Sequence, residues 1–189
     1  MSTPDRLIEA TQELLWERGY VGTSPKAIQQ RAGAGQGSMY HHFAGKPGLA
    51  RAAILRTTAQ LRKEAGELLD APGTARERIS AYLLRERDVL RGCPVGRLTM
   101  DPEVMAGDEL RAPVDETLAW LRGRLAELVQ EGVDQGEFAP GIVPEEIAAA
   151  LVATVQGGYV LARASGSPVA FDAAVAGLLS LLTSRHPAA

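Results

Sequence analysis

Apolar side chains recur at intervals of three and four residues along almost the whole chain, which is the spacing of α-helices that bury one face. Leu7 and Leu14 belong to the first such helix. Ser2 or Thr3 would cap it, and Gly19 would end it. The same spacing predicts further helices over residues 47–70, 74–91, 97–106, 109–135, 144–164 and 168–184. Glycine and proline separate these stretches and no stretch alternates as a strand does, so the sequence predicts an all-α protein.

Two shorter helices fit between the first helix and the long one that begins near residue 47. Thr23 or Ser24 would cap residues 25–32, and Gly33 would open a short turn before residues 36–43. A glycine-bearing turn between two short helices is the outline of a helix-turn-helix, whose second helix enters the major groove of DNA. In that second helix Met39 and Phe43 lie four apart and share one face, which favours their burial.

Several residues around this turn carry a specific family pattern. They are Tyr20, Thr23, Ile28, Ala32, Gly33, Gly37, Ser38, Tyr40, His42, Phe43, Lys46 and Leu49. In register and without a gap, they resemble the DNA-binding signature of TetR-family transcriptional regulators. The chain departs from the pattern at Ala34-Gly35, where the family usually has a Val-Ser pair, and at Lys46-Pro47-Gly48, where an acidic residue usually follows the lysine.

The resemblance implies a TetR-like fold of about nine helices. Residues 1–46 would form a three-helix DNA-binding domain, and residues 47–189 a helical domain for effector binding and dimerisation. It also implies a homodimer, of the kind that typically acts as a repressor and releases a palindromic operator when a small hydrophobic or aromatic ligand binds. Whether this chain represses or activates is left open by the sequence.

The candidate DNA-binding residues combine groove-facing and phosphate-facing chemistry. They are Thr23, Lys26, Gln36, Gly37, Ser38, Tyr40, His41, His42 and Lys46. Hydrogen-bonding side chains on the second short helix can meet base edges or nearby phosphates, and Gly37 lets the backbone come close. Lys26 and Lys46 can hold phosphates, and the exposed amides at the start of the helix over 25–32 add an anion site. For His41 and His42, one groove-facing and one packing role are expected, in either order.

The charge is distributed unevenly along the chain. Residues 1–63 contain nine Lys/Arg and four Asp/Glu, a net charge of +5. The remaining residues contain eleven and nineteen, a net charge of −8, which together give the overall −3. A cationic end that attracts phosphates, joined to an acidic body, suits a DNA reader with a separate sensing domain, although small domains often show such asymmetry by chance.

The last two predicted helices are apolar on nearly every side. The charge-free run over residues 147–162 is shorter than a membrane-spanning helix needs and contains Gln156 and two glycines. We therefore expect these helices to meet a second copy of the chain in a four-helix interface. A deeply buried helix pair within one chain is the alternative. With a single cysteine and no N-terminal signal pattern, the chain is expected to be cytoplasmic.

The resemblance further implies an effector cavity among the fourth to eighth helices. Its lining candidates are Tyr82, Leu98, Met100, Met105, Trp120, Leu121, Gln156 and Tyr159. Mostly apolar walls with a few polar groups suit a hydrophobic or aromatic ligand. Each of these side chains is equally compatible with an ordinary core position.

No catalytic motif, cofactor motif or metal-ligand spacing emerges from the sequence. His41 and His42 are adjacent and cannot share one face of a helix as a metal pair would. Cys93 lies between Arg91 and Arg97 in a segment found in a subset of TetR-like regulators, so it is either a reactive sensor of electrophiles or a buried packing thiol. The competing functional hypothesis is an all-α carrier or enzyme whose basic N-terminal domain is incidental.

Overall fold

A computed structural model of the chain describes residues 2–183. Within that range it contains nine α-helices, one 3-10 helix and no β-strand, which confirms the all-α prediction. The α-helices are α1 (Thr3–Arg18), α2 (Pro25–Ala32), α3 (Gln36–His42), α4 (Gly45–Leu69), α5 (Ala75–Leu84), α6 (Pro102–Ala106), α7 (Asp108–Asp134), α8 (Pro144–Ser165) and α9 (Val169–Thr183); the 3-10 helix covers Gly96–Met100.

Capping residues explain where the first helices begin and end. The Ser2 hydroxyl accepts from the backbone N–H of Asp5, so Ser2 and not Thr3 caps α1. Ser24 caps α2 in the same way, with Pro25 in the first turn. Gly33 ends α2 at φ 58° and ψ 37°, a left-handed conformation that glycine adopts without strain.

Four of the predicted helices, which become α4, α7, α8 and α9, begin and end within two residues of the predicted bounds. The last of them was expected to reach Ser184, which lies outside the described residues. The sequence alone therefore locates the long helices well, because each carries many periodic apolar positions.

The predicted helix over 74–91 is wrong at its C-terminal end, because α5 stops at Leu84. The Arg87 guanidinium bends back and donates to the carbonyl oxygens of Leu83 and Tyr82 at 2.9 and 2.6 Å. A cation at the end of a helix satisfies carbonyls that have no partner within the helix, and thereby stabilises this end.

The predicted helix over 97–106 is also wrong, because two short helices replace it. The 3-10 helix ends at Met100, and the extended backbone of Asp101 (φ −92°, ψ 117°) separates it from α6. Pro102 disfavours a helical conformation for the residue before it and suits the first position of the next helix. Asp101 then caps α6 with its side chain.

The described residues form two compact units. One contains residues 2–61 and Cys93–Thr117; the other contains Arg62–Gly92 and residues 118–183. In the first, a core cluster unites the three N-terminal helices with the start of α4; its members are Leu7, Ala10, Leu14, Ile28, Ala32, Met39 and Leu49. The proposed boundary between residues 46 and 47 stays a prediction.

In the second unit, α8 and α9 pack closely. A Cβ atom on Gly158 would come within 2.8 Å of a Phe171 ring carbon, so the small residue is required for this approach. The rings of Tyr159 and Phe171 lie 5.0 Å apart between their centroids. By length and composition alone α8 is apolar enough to cross a membrane, a test that core helices of soluble proteins also pass.

Candidate functional site

The turn between α2 and α3 has the geometry that the helix-turn-helix prediction requires. After Gly33, the backbone N–H of Ala34 donates to the carbonyl of Gln29 at 3.0 Å, which closes the end of α2. Gly35 caps α3 without any side-chain hydrogen bond, as expected from the missing serine. The seven-residue α3 therefore depends on tertiary contacts for its stability.

Met39 provides those contacts. Its side chain is fully buried in the core cluster with Ile28 and Leu7, and Phe43 packs against the same cluster. The side-chain amide of Gln29 also approaches the Met39 sulfur at 3.8 Å. One side of α3 is thereby fixed to α1 and α2, which leaves its other side free to meet a partner.

The other side of α3 is polar and exposed. Tyr40 is 54% exposed, and His41 and His42 are both exposed with ring centroids 4.8 Å apart. The His42 ring also lies edge-on to the Phe43 ring, at 6.4 Å between centroids, and the division of roles between the two histidines stays a prediction. Ser38 is half-buried, and a Cβ atom on Gly37 would meet nothing within 4 Å, so its backbone is open to close approach. Gln36 begins α3, and its side chain lies outside the described part.

The three residues expected to position phosphates differ in availability. Lys26 is exposed in the first turn of α2. Thr23 is 1% exposed and its hydroxyl donates to the Gly19 carbonyl at 2.6 Å, so this hydroxyl stabilises the α1–α2 turn. Lys46 is half-buried and its Nζ lies 3.9 Å from the centre of the Tyr20 ring, a cation–π contact that holds the ammonium against α1's end.

Polar contacts anchor α1 to its neighbours. Arg31 of α2 makes a two-pronged pair with Glu17, at 2.6 and 2.9 Å. Gln12 donates to Thr57 at 2.9 Å, and Arg56 pairs with Asp5 at 2.7 Å. Hydrogen bonds from Ser2 and then from Arg56 lower the pKa of Asp5. Because the forked pair joins α1 to α2 and the other two contacts join α1 to α4, the N-terminal helices α1–α3 and the first part of α4, which we call the head, are held as one body.

A buried carboxylate, which the sequence analysis missed, joins the α1–α2 turn to α6. Asp101 is 7% exposed, and its Oδ2 accepts from the backbone N–H groups of Tyr20 and Val21 at 2.6 and 2.9 Å. Its Oδ1 accepts from the N–H groups of Glu103 and Val104 at 3.1 and 3.3 Å. One side chain thus satisfies four backbone donors, two on each side. The Asp-Pro pair was the sequence signal for the cap, but nothing marked its partners 80 residues away.

Tyr20 also borders an open cleft of about 350 Å³. Its other lining residues are Pro47, Glu103, Ala106, Gly107, Glu109 and Leu110. Burial, followed by the negative charges of Glu103, Asp101 and Glu109, raises the pKa of the Tyr20 phenol. The phenol is therefore neutral at ordinary pH. Its ring lies beneath the ammonium group of Lys46.

An aromatic and basic cluster surrounds Tyr82 in the other unit. The guanidinium carbons of Arg85 and Arg87 lie 4.8 and 5.8 Å from the Tyr82 ring centroid, and Arg87 also lies 5.2 Å from the Phe171 centroid. Phe171 in turn contacts Tyr159. We call these five residues the Tyr82 cluster.

Two family models match the chain. The model described as "Bacterial regulatory proteins, tetR family" matches residues 7–53, and the model described as "Tetracyclin repressor-like, C-terminal domain" matches residues 75–178, more than half of the chain. The chain belongs to the TetR family. It is therefore a DNA-binding transcriptional regulator with a ligand-binding domain, and no enzymatic activity is indicated.

Similar proteins agree with that assignment. An HTH-type transcriptional regulator of Mycobacterium tuberculosis is 28% identical, with 97% of this chain and 95% of that protein covered. A cysteine mutant of the TetR-family regulator CifR, bound to 26-base-pair operator DNA, has a TM-score of 0.79 at 24% identity, covering 94% and 95% of the two chains. The regulator FadR of Bacillus subtilis, bound to stearoyl-CoA, has a TM-score of 0.73 at 19% identity, covering 95% and 97%. These two structures share the fold.

The predicted effector lining of this TetR-family protein falls in both compact units. Leu98, Met100 and Met105 belong to the first, whereas Tyr82, Trp120, Leu121, Gln156 and Tyr159 belong to the second. The structure brings Tyr82 and Tyr159 together through the Tyr82 cluster. Met100 is 84% exposed, which gives no support to its place in a cavity wall. The remaining assignments stay predictions.

Cys93 is buried in this TetR-family chain, with 8% of its surface exposed. Its sulfur accepts from the backbone N–H of Gly96 at 3.2 Å at the start of the 3-10 helix. Burial of this kind favours the packing role over the sensor role. In residues 2–183, no three His, Cys, Asp or Glu side chains are arranged to hold a metal ion.

The regulator exposes an apolar face along α8 and α9. Val160, Leu161, Val169 and Leu181 are between 53% and 76% exposed. The smaller exposed residues at helical spacing on these helices are Ala149, Ala150, Ala153, Gly157, Ala164, Ala173, Ala176 and Gly177. Such a continuous apolar face is the feature of a surface that a partner covers.

Proposed function

We propose that this TetR-family protein is a homodimeric repressor that binds a palindromic operator in the cytoplasm and releases it when a small molecule binds. The observation that carries the proposal is the division of α3 into two sides. Met39 fixes one side in the core, and Tyr40, His41 and His42 are exposed on the other. A short helix held in this way can enter a major groove, where its polar side chains meet base edges.

Within that interface, we assign Tyr40, His41 and the side chains of Gln36 and Ser38 to bases or nearby phosphates. Gly37 allows close backbone approach, and His42 lies beside these residues on the exposed side. Lys26 is the principal phosphate contact, because its side chain is exposed in the first turn of α2. Thr23 and Lys46 contribute chiefly by fixing the α1–α2 turn, since both side chains have partners inside the head.

The apolar face of α8 and α9 supports the homodimer. A two-fold interface from both helices of each copy would bury this face as a four-helix arrangement, and its small residues permit close approach. Two recognition helices must then meet successive major grooves about 34–36 Å apart, so a small change in the spacing of the heads weakens binding. The operator complex of CifR and the stearoyl-CoA complex of FadR support DNA and a small molecule as partners.

The test is a titration of the purified protein with the double-stranded DNA that flanks its own gene. We expect saturable binding that a scrambled duplex of equal length does not show. The competing hypothesis, an all-α carrier or enzyme with an incidental basic domain, requires no sequence-selective binding at any salt concentration. That result would reject the proposal.

The phosphate assignment is tested by the Lys26→Ala variant, with Lys63→Ala as the matched loss of an exposed charge on α4. Each lost phosphate contact lowers the slope of log affinity against log salt by about 0.9. In a dimer the Lys26 variant should therefore lose about 2 from the slope, while the Lys63 variant keeps the slope of the unaltered protein. Equal slopes in all three proteins would contradict the role of Lys26.

A further inference from the structure

Arg85 differs from Arg78, a half-buried arginine of α5, in having no acidic partner within the described residues. Arg78, with 15% of its side chain exposed, makes a forked pair with Glu131 at 3.1 Å for both bonds and donates to the Leu69 carbonyl. Arg85 follows directly after α5, is also half-buried, and its Nη1 has no solvent contact and no acceptor within the described residues. Buried guanidinium groups are normally paired, because desolvation of an uncompensated charge is costly.

The end of α5 does not explain Arg85. An arginine after a helix usually donates to the last carbonyls, but Arg87 already does so, at Leu83 and Tyr82. The contact that the structure records for Arg85 is the face of Tyr82, at 4.8 Å. A ring face attracts a cation without supplying the in-plane acceptors that a guanidinium fork requires.

The surroundings favour an anion over a neutral ligand. Arg87 lies within 6 Å of the same ring centroid, so two cations share one aromatic group. Tyr82 itself is 3% exposed, so its ring is held in the core beneath the two guanidinium groups. Arg85 as a whole is only half-buried, so part of this residue remains in contact with solvent although Nη1 does not.

We propose that Arg85 binds the anionic group of a small organic acid, a carboxylate or a phosphate, and that the Tyr82 cluster is the anchor of the effector site. The role of the bound anion as effector rests on the proposed function, whereas the binding of the anion does not. The anion would accept from the part of the guanidinium that faces solvent, above the Tyr82 ring.

The first test needs no knowledge of the ligand. Arg85→Met keeps an apolar stem over Tyr82 and removes a guanidinium whose Nη1 has no acceptor in the described chain. We expect the melting temperature of the ligand-free protein to stay level or rise by about 2–4 °C. Arg78→Met is the contrast, because it leaves Glu131 without its partner and should lower the melting temperature. A comparable loss in the Arg85 variant would show a structural role and overturn the proposal.

The second test measures binding by calorimetry, with benzoate and octanoate as carboxylates, phenyl phosphate as the phosphate, and benzamide and octanamide as matched neutral compounds. We expect at least one anion to bind, the neutral compounds to fail, and Arg85→Met to weaken binding at least tenfold. Arg122→Gln, which removes an exposed charge on α7, should bind as the unaltered protein does. Failure of all three anions, or equal binding by the Arg85 variant, would overturn the proposal.

Two further readouts separate the alternatives. If a carboxylate of a second copy were the missing acceptor, Arg85→Met would lose the dimer in light scattering, and that loss would overturn the small-anion proposal. Operator binding is measured in parallel. Arg85-dependent anion binding without any sequence-selective DNA binding would reject the proposed function and leave the anion site standing. Sequence-selective DNA binding without Arg85-dependent anion binding would support the proposed function and overturn the anion site.

Discussion

Replacing Asp101 with alanine should weaken the attachment of the DNA-reading head more than any other single polar change described above. The carboxylate is 7% exposed and accepts four backbone N–H groups, from Tyr20 and Val21 on one side and from Glu103 and Val104 on the other. Alanine removes both acceptor oxygens, so all four N–H donors lose this partner.

The magnitude follows from the two sides separately. Loss of the α6 cap costs about 1 kcal/mol. Each bond from a backbone amide to a charged acceptor contributes about 1.5 kcal/mol or more, so the pair at Tyr20 and Val21 adds about 3 kcal/mol. The free energy of unfolding should fall by about 4 kcal/mol in Asp101→Ala, and by about half of that in Asp101→Asn, which keeps one oxygen for one pair.

The assay is urea denaturation together with hydrogen exchange resolved at single amides. A local loss of about 3 kcal/mol corresponds to roughly 100-fold faster exchange at Tyr20 and Val21, beyond any change at amides of α8 in the other unit. Asp108→Ala is the control, because that carboxylate is exposed and pairs only at the surface with Arg111. Unchanged exchange at Tyr20 and Val21, or a stability loss below about 1 kcal/mol, would refute the reasoning.

Two other predictions concern the opposite unit. Backbone and side-chain hydrogen bonds from Thr74 lower the pKa of Glu77, so its contribution to stability is present above the unfolded pKa of about 4.3 and is lost as the pH falls through the lower folded value. The difference in urea midpoint between Glu77→Gln and the unaltered protein should therefore shrink between pH 6 and pH 3. Leu161→Glu places a charge on the exposed face of α8 without touching the core, so light scattering should report half the mass of the unaltered protein; an unchanged mass would contradict the interface.

The DNA-reading head could be predicted almost entirely from the sequence because its signals are local. Gly33 predicts a left-handed turn, and Pro25 predicts the start of a helix. The four-residue spacing of Met39 and Phe43 predicts the buried side of α3. Each signal lies within a few residues of the feature that it predicts. Once the buried side of α3 is known, its other side is the exposed polar one. The roles of Thr23 and Lys46 could not be predicted in this way, since their partners Gly19 and Tyr20 are fixed by tertiary contacts.

The middle of the chain was predicted less well because its decisive contacts are distant. The end of α5 is set by a cation that bends back onto the helix, and periodic apolar positions continue past that point. The link from Asp101 to the α1–α2 turn joins residues 80 apart. A carboxylate before a proline indicates a helix cap. The hydrogen-bond partners of its second oxygen become known only from the fold, which brings the α1–α2 turn to it.

The effector side shows why apolar patterning is an incomplete guide to ligand chemistry. The lining candidates that the family resemblance implies include residues such as Leu98 and Leu121, which any core would contain, and their apolar character was the basis for expecting a hydrophobic or aromatic ligand. In the sequence Arg85-Glu86-Arg87-Asp88, charges alternate in sign, which is typical of a solvated segment whose neighbours neutralise one another. The fold instead leaves Glu86 and Asp88 exposed and turns Arg85 and Arg87 onto the Tyr82 ring. Because charge separation of this kind arises only from the backbone path after α5, the proposal of an anionic ligand depends on the structure and could not have come from the sequence pattern.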